Sequence, residues 1–229
     1  MDALGLIPAR SGSRGIPDKN LASLGGKSLL AWTCEQAIAS DRLTRRVVST
    51  DSPEIGAAAR GLGLEVIDRP AALAADETPM LDVLLHALER IPDADPVVLL
   101  QPTSPLRRAV DIDAAIELWE RTGADSVVSV VRVPHSFTPG SQLRRDEDGR
   151  LEPYPSAEHS TSRQEKPLLF ARNGPAVLVV RADTVRAGSL YGDDCRAYEM
   201  APEDSIDVDE PLDLELAAFL LDRRARLSG

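Results

Sequence analysis

The stretch LGLIPARSGSRGIPDKNLASLGGKSLL, from Leu4 to Leu30, decides how this chain is read. Its first residues are apolar and closed by a proline, the mark of a short buried strand. The loop that follows holds Gly12 and Gly15 and three cations, Arg10, Arg14 and Lys19, before a helical pattern begins near Lys27. In open α/β sheets, ligands bind where such loops leave the carboxyl ends of strands. Residues 1–30 contain four basic and two acidic side chains, whereas the whole chain carries −11. The loop is therefore a local positive feature suited to an anion.

The alternation continues outward from it. Apolar residues at helical spacing fill Lys27 to Ser40, and Arg45 to Thr50 (RRVVST) reads as a second strand. A helix is expected from Pro53 to Leu62, with Asp51 as its N-cap. Leu64 to Ile67, Pro96 to Leu100 and Ser126 to Val131 read as further strands. Thr78-Pro79 opens one helix and Val110 to Arg121 forms another. Strand and helix in turn imply βαβ units, an α/β fold with a mostly parallel sheet. Right-handed crossovers put strand-end loops on one edge, so PARSGSRGIPDKN, STDS and QPTSPLR should converge.

The length suits one domain, 1–229. From 132 to 172 the pattern breaks into Pro-, Ser- and charge-rich sequence. This segment is expected to be an arm, with a hairpin turning at Glu147-Asp148-Gly149 and a partner subunit to cover it, hence a homodimer. Asn173 to Val180 returns as a strand, and Pro211 to Arg226 is a final helix.

A net charge of −11 and a pI near 4.8 argue against nucleic-acid and anionic-membrane partners, which call for a broad basic surface. No apolar run approaches the roughly 20 residues of a membrane span, and the first residues resemble no signal peptide. A cytoplasmic location is the expectation. Cys34 falls in a helical pattern and reads as buried packing. His86, His135 and His159 are scattered, without metal-ligand spacing.

Familiar phosphate motifs fail here. Gly26-Lys27-Ser28 looks like the tail of a Walker A loop, but Leu21 stands where its first glycine belongs. Gly12 and Gly15 could end a GxGxxG fingerprint, but Arg10 occupies its first position. What remains is a distinct loop, Arg10, Ser11, Gly12, Ser13 and Arg14, then Lys19 and Asn20. Its glycines let amides approach phosphate oxygens and its cations add full charge, as a nucleoside triphosphate requires. In Ser205-Ile-Asp-Val-Asp-Glu-Pro211, alternation puts Asp207 and Asp209 on one face, a pair suited to Mg²⁺. The competing reading makes Asp209 or Glu210 the cap of the helix that starts at Pro211. Gln101 follows the most apolar strand and faces the shared edge.

Together these segments resemble the acylneuraminate cytidylyltransferases. The matching stretches are IPARSGSRGIPDKNL, VVSTDS, RPAAL, LLQPTSPLR, ARNGPAVLV, LYGDDCR and SIDVDEP. The resemblance implies a Rossmann-like domain with a dimerisation arm, and transfer of CMP from CTP to a nonulosonic acid with Mg²⁺ and release of pyrophosphate. It further implies Arg10, Ser11, Gly12, Ser13, Arg14, Lys19 and Asn20 as the nucleotide loop, with Arg69 at the cytidine. Gln101, Arg163 and Asn173 would serve the acceptor, Asp207 and Asp209 the metal, and Arg10, Lys19 and Asp209 catalysis. The arm lacks the lysine that sialic acid enzymes often carry there, and arm and tail look closer to the branch for legionaminic-type acids. Two alternatives stay open: CMP activation of a small phosphonate acid such as phosphonoformate, and a non-catalytic CTP- or CMP-binding module.

Overall fold

A computed structural model describes residues 2–13, 15–154 and 168–228. Arg14 and Arg163 lie outside the described residues, as does the 155–167 part of the arm. In chain order the first elements are β1 (Leu4–Pro8), the two-residue strands β2 (Ser23–Leu24) and β3 (Lys27–Ser28), α1 (Leu29–Ala39), β4 (Arg45–Thr50) and α2 (Pro53–Gly61). Next come β5 (Glu65–Asp68), α3 (Met80–Arg90), β6 (Val97–Leu99), α4 (Ala109–Thr122), β7 (Ser126–Arg132), β8 (Leu143–Arg145) and β9 (Leu151–Pro153). The last are β10 (Phe170–Arg172), β11 (Leu178–Val180), α5 (Ala182–Arg186), β12 (Cys195–Glu199) and α6 (Pro211–Ser228).

β1 occupies the middle of the main sheet. It pairs in parallel with β4 on one side and β6 on the other, and β5 extends the sheet in parallel beyond β4. Past β6, β11 runs antiparallel to both β6 and β7, while β12 is parallel to β7. The sheet is thus mostly parallel, and its strand order switches at β1, where ligands of such sheets bind.

Helices cover both faces, which is why β1 is apolar throughout rather than alternating. Leu4 and Leu6 pack with Leu84 and Ala87 of α3 and Val185 of α5. Ile7 packs on the other face with Leu30 and Cys34 of α1, Ile55 of α2 and Ile116 of α4. Cys34 is fully buried, as its helical spacing indicates. A third apolar cluster joins Ile16 of the cationic loop, Leu24, Leu29, Leu106, Val208 and Ala217 of α6. Burying a side chain such as Val208 contributes roughly 1.5–3 kcal/mol, so this cluster fixes the loop and the segment before α6 against one another.

Local chemistry explains three features, two that depart from the sequence reading and a third that accounts for a motif it rejected. First, Asp51 does not cap α2: the hydroxyl of Ser52 accepts from the amide of Ile55 at 3.3 Å, and Asp51 is turned elsewhere. Second, 173–180 is not one strand. Gly174 has φ +117° and precedes Pro175, which has no N–H to give a ladder, so β10 and β11 are separated by a turn. Third, the Walker-like GGKS is a hairpin turn followed by a helix cap. Gly25 and Gly26 both have positive φ, as a two-residue turn between β2 and β3 demands. The Ser28 hydroxyl then caps α1 by accepting from Ala31 N at 3.1 Å.

In the arm, β8 and β9 form a separate antiparallel hairpin whose strand residues are all exposed. Its turn falls at 146–149, with Gly149 at φ +86° donating to the Asp146 carbonyl at 3.1 Å. No helix among the described residues is long and apolar enough to cross a membrane.

Candidate active site

At the carboxyl end of the sheet, beside β1 and β6, lies a cleft of about 250 Å³. Arg10, Gly12, Ser13, Lys19 and Asn20 reach it from the first loop, and Gln101 from the loop after β6. Arg69, Asp207 and Asp209 complete the wall. Segments spread over the whole chain therefore meet on one edge, as right-handed βαβ connection requires. Met80, the first residue of α3, and Thr103 also line the cleft, and nothing in their local sequence marks them.

The first loop is held at both ends. Asn20 Nδ2 donates to the Arg10 carbonyl at 2.9 Å, and Ser11 is bound by Asp51 through both its amide (2.8 Å) and its hydroxyl (2.5 Å). Burial works to raise the Asp51 carboxyl, but these Ser11 hydrogen bonds, with Arg69 nearby, hold it below the usual range. Gly15 lies so close to the segment before α6 that an added Cβ would stand 2.3 Å from the Asp209 carbonyl oxygen. Only glycine lets the two backbones approach in this way.

Four cations of the described residues serve this region in different ways. Arg10 forms an ion pair with Asp76. Lys19 Nζ donates to the Val208 carbonyl at 3.0 Å and to Asp209 Oδ1 at 2.8 Å. Arg69 is only 6% exposed, and its Nε and Nη2 have no hydrogen-bond partner. Burial pulls its pKa down, the Arg10 charge adds to this, and Asp51 opposes it. An arginine remains charged even so, and a buried guanidinium with vacant donors calls for an anion or an acceptor-rich ligand. Arg107 lies deeper, its Nη1 donating to the carbonyls of Ala176 (2.7 Å) and Gln101 (3.2 Å). Full burial lowers its pKa to about 10. Arg107 thereby ties the loop after β6 to the turn before β11, a link that its place in QPTSPLR does not reveal.

The acidic pair is arranged by alternation about Val208. Val208 is fully buried and its amide donates to the Thr103 carbonyl at 2.7 Å, leaving Asp207 and Asp209 on the cleft side. Neither is the helix cap. Asp213 reaches back from the first turn of α6 and accepts from the amides of Asp209 (2.9 Å) and Glu210 (2.8 Å). The Asp209 carboxylate accepts from Lys19 instead. Asp207 Oδ1 is buried without a hydrogen-bond partner, and burial pushes its pKa up. An orphaned carboxylate oxygen beside a second carboxylate is a donor set that a hard cation completes with phosphate oxygens and water. Among the described residues, no group of three or more His, Cys, Asp or Glu forms a metal cage.

Of the residues that the family resemblance assigns to an acceptor, Gln101 donates through Nε2 to the Gly174 carbonyl at 3.0 Å while its side chain borders the cleft. Asn173 does not line the cleft. It is 4% exposed, accepts from Ser129 Oγ at 2.6 Å and donates to Ser205 Oγ at 2.9 Å, so its polar atoms are engaged in holding the turn.

A family model described as Cytidylyltransferase matches residues 4–217. An N-acylneuraminate cytidylyltransferase of Escherichia coli O18:K1:H7 is 31% identical over 223 residues, 97% of this chain and 53% of the relative. One from Streptococcus agalactiae serotype III is 34% identical, covering 91% of this chain and 51% of the relative. An N-acylneuraminate cytidylyltransferase A of Danio rerio is 32% identical, with coverage of 93% and 49%. The chain spans about half the length of the curated relatives it matches. Among solved structures, a CMP:2-keto-3-deoxy-manno-octonic acid synthetase complexed with CTP superposes with a TM-score of 0.75 at 19% identity, covering 98% of this chain and all of that one. A 4-diphosphocytidyl-2C-methyl-D-erythritol synthase from Anaerococcus prevotii gives 0.64 at 11% identity, covering 96% and 98%. At these identities the two structures speak for the fold.

Proposed function

Because the chain belongs to the cytidylyltransferase family, we propose that it transfers CMP from CTP to an anionic sugar acid of the nonulosonic type, releasing pyrophosphate. The observation that carries this reading is the meeting, in one cleft, of loop cations, a buried Arg69 with vacant donors and a carboxylate pair with an orphaned oxygen. A metal-bound triphosphate satisfies all three at once. The acceptor class is supported by relatives named N-acylneuraminate cytidylyltransferase at 31% and 34% identity.

In the proposed reaction the acceptor's anomeric hydroxyl attacks the α-phosphorus. The bond to the bridging oxygen breaks, and pyrophosphate leaves with the electron pair. Such transfers depend on positioning and charge neutralisation. Gly12 and Ser13 present the loop backbone to the phosphates, and Arg10 and Lys19 exchange their carboxylate partners for phosphate oxygens, where charge grows on the leaving group. Arg69 donates to the cytidine side. Asp207 and Asp209 would hold Mg²⁺, which when bound offsets phosphate charge and orients the phosphate oxygens. Asp209 borders the cleft and, once released from Lys19, would be the carboxylate that takes up the hydroxyl proton. Gln101 meets the acceptor, Arg163 supplies a cation for its carboxylate, and Asn173 holds the turn behind Gln101.

The test is pyrophosphate release from CTP and Mg²⁺ with a panel of acceptors: N-acylneuraminic acids, legionaminic-type acids, 3-deoxy-octulosonic acid and phosphonoformate. Release with a nine-carbon acid supports the reading, whereas release with phosphonoformate alone reassigns the acceptor. Silence across the panel rejects it.

The protein is further proposed to act as a homodimer. Phe137, Leu143, Leu151, Tyr154 and Phe170 of the arm region are between 41% and 67% exposed, more large apolar surface than one short segment ordinarily leaves in water. Sedimentation as a monomer at micromolar concentration contradicts this.

A further inference from the structure

Ser11 is exposed, yet both of its donors are directed at a residue forty positions away. The amide donates to Asp51 Oδ1 at 2.8 Å and the hydroxyl to Asp51 Oδ2 at 2.5 Å. Asp51 is the first residue after β4, and Ser52 already caps the following helix. The carboxylate is therefore not tied to secondary structure at its own end. Just beyond Ser11 come Gly12, at φ +65° with nothing within 4 Å of an added Cβ, and Ser13, and both border the cleft. Gly12 itself brings no side chain to pack, so the described hydrogen bonds and ion pair around it matter to its placement. Among the described residues it is held by Ser11 on Asp51, by the Arg10 carbonyl on Asn20, and by Arg10, whose Nη1 donates to the Ser11 carbonyl at 3.4 Å and which pairs with Asp76. A loop that must be ordered at the moment of binding lowers affinity by the entropy of ordering it, and one already held does not.

We infer that Asp51 is a positioning residue for the triphosphate, a two-pronged carboxylate clamp that holds Ser11, and through it Gly12 and Ser13, in binding shape before the nucleotide arrives. The inference rests on the reading of the cleft as a CTP site, and it changes the part assigned to Ser11. The amide and hydroxyl of Ser11 are committed to the clamp, and the ligand is met by its neighbours.

A different role for Asp51 is electrostatic, since its charge favours the buried guanidinium of Arg69. Chemistry separates the two. An asparagine at 51 loses the charge but keeps both prongs, because its oxygen accepts from the Ser11 amide and its NH₂ donates to the Ser11 hydroxyl. CTP affinity by calorimetry, and kcat and KM for CTP, are measured for the wild type, Asp51→Asn, Asp51→Ala, Ser11→Ala and the double variant Asp51→Ala/Ser11→Ala. The clamp predicts that Asp51→Ala weakens CTP by about tenfold, mainly in KM, and that Asp51→Asn stays within about threefold of wild type. Ser11→Ala loses one prong and falls between them, and the double variant is no worse than Asp51→Ala alone, the non-additivity of a shared contact. Asparagine as damaging as alanine, full additivity, or unchanged affinity in Asp51→Ala overturns the clamp. If the wild type binds no CTP, the CTP reading fails instead. Amide exchange at Gly12 and Ser13 then decides the clamp without ligand: faster exchange in Asp51→Ala sustains it and equal rates refute it.

Discussion

Replacing Gly15 by alanine adds a single carbon and should nonetheless cripple the proposed activity while leaving the protein folded. The added Cβ would stand 2.3 Å from the carbonyl oxygen of Asp209, whereas real Cβ atoms are essentially never found closer than 3.0 Å to such a neighbour. The loop and the segment before α6 must therefore part by at least about 0.7 Å, the difference between those distances. That segment carries Asp207 and Asp209 and anchors Lys19, so the shift falls on proposed metal and phosphate contacts together. A misplacement of about 1 Å typically lowers turnover on the order of 10²-fold, or about 2.7 kcal/mol in the barrier. Folding should survive, because Gly15 is exposed and lies in a loop. The assay is pyrophosphate release under saturating CTP with the acceptor found in the panel, alongside thermal unfolding. Gly61→Ala is the control: Gly61 ends α2 with nothing within 4 Å of an added Cβ, and alanine there should stabilise by roughly 0.5–1 kcal/mol with activity unchanged. Wild-type kcat/KM in Gly15→Ala would falsify the close-approach argument, and unfolding of the variant would show that the contact is structural.

Arg107→Met should destabilise the fold by roughly 2–4 kcal/mol, read as a lower urea midpoint, since it leaves the carbonyls of Gln101 and Ala176 without their donor; an unchanged midpoint would mean that the buried charge offsets its own hydrogen bonds. Thiol titration of the native protein at pH 8 should count one reactive cysteine, the exposed Cys195, and two after denaturation. Burial raises the Cys34 thiol to about 12, so below that pH it stays protonated and unreactive. Two fast thiols in the native state would contradict the packing described for α1. Arg69→Met should weaken CTP binding by about tenfold or more with little change in unfolding temperature, because its Nε and Nη2 donors have no partner within the fold; unaltered affinity would remove Arg69 from the nucleotide site. Leu151→Asp in the exposed hairpin should shift the sedimentation coefficient toward that of a monomer if the arm is the dimer contact.

By itself the sequence determined the layered α/β architecture and the edge on which the site lies. β1 is apolar without alternation because helices cover both faces of the sheet, and that pattern is legible in LGLIP without coordinates. The Asp207–Asp209 alternation was equally legible, because Val208 between them is the buried residue. Tertiary structure alone decided how side chains on distant segments share their bonds. STDS gives no sign that Asp51 turns away from its helix to grip Ser11, since aspartate before a helix is an equally good cap and local sequence carries no information about a partner forty residues distant. Nor could the competition at Pro211 be settled locally. Asp213 answers the amides of Asp209 and Glu210 from three or four residues away, but the partner that takes the Asp209 carboxylate is Lys19, 190 positions distant. Periodicity records what each segment buries, and folding brings together the polar groups that complete one another. The strand-end loop from Arg10 to Asn20 was visible as a positive patch, and only the fold supplied the carboxylates that hold it in place.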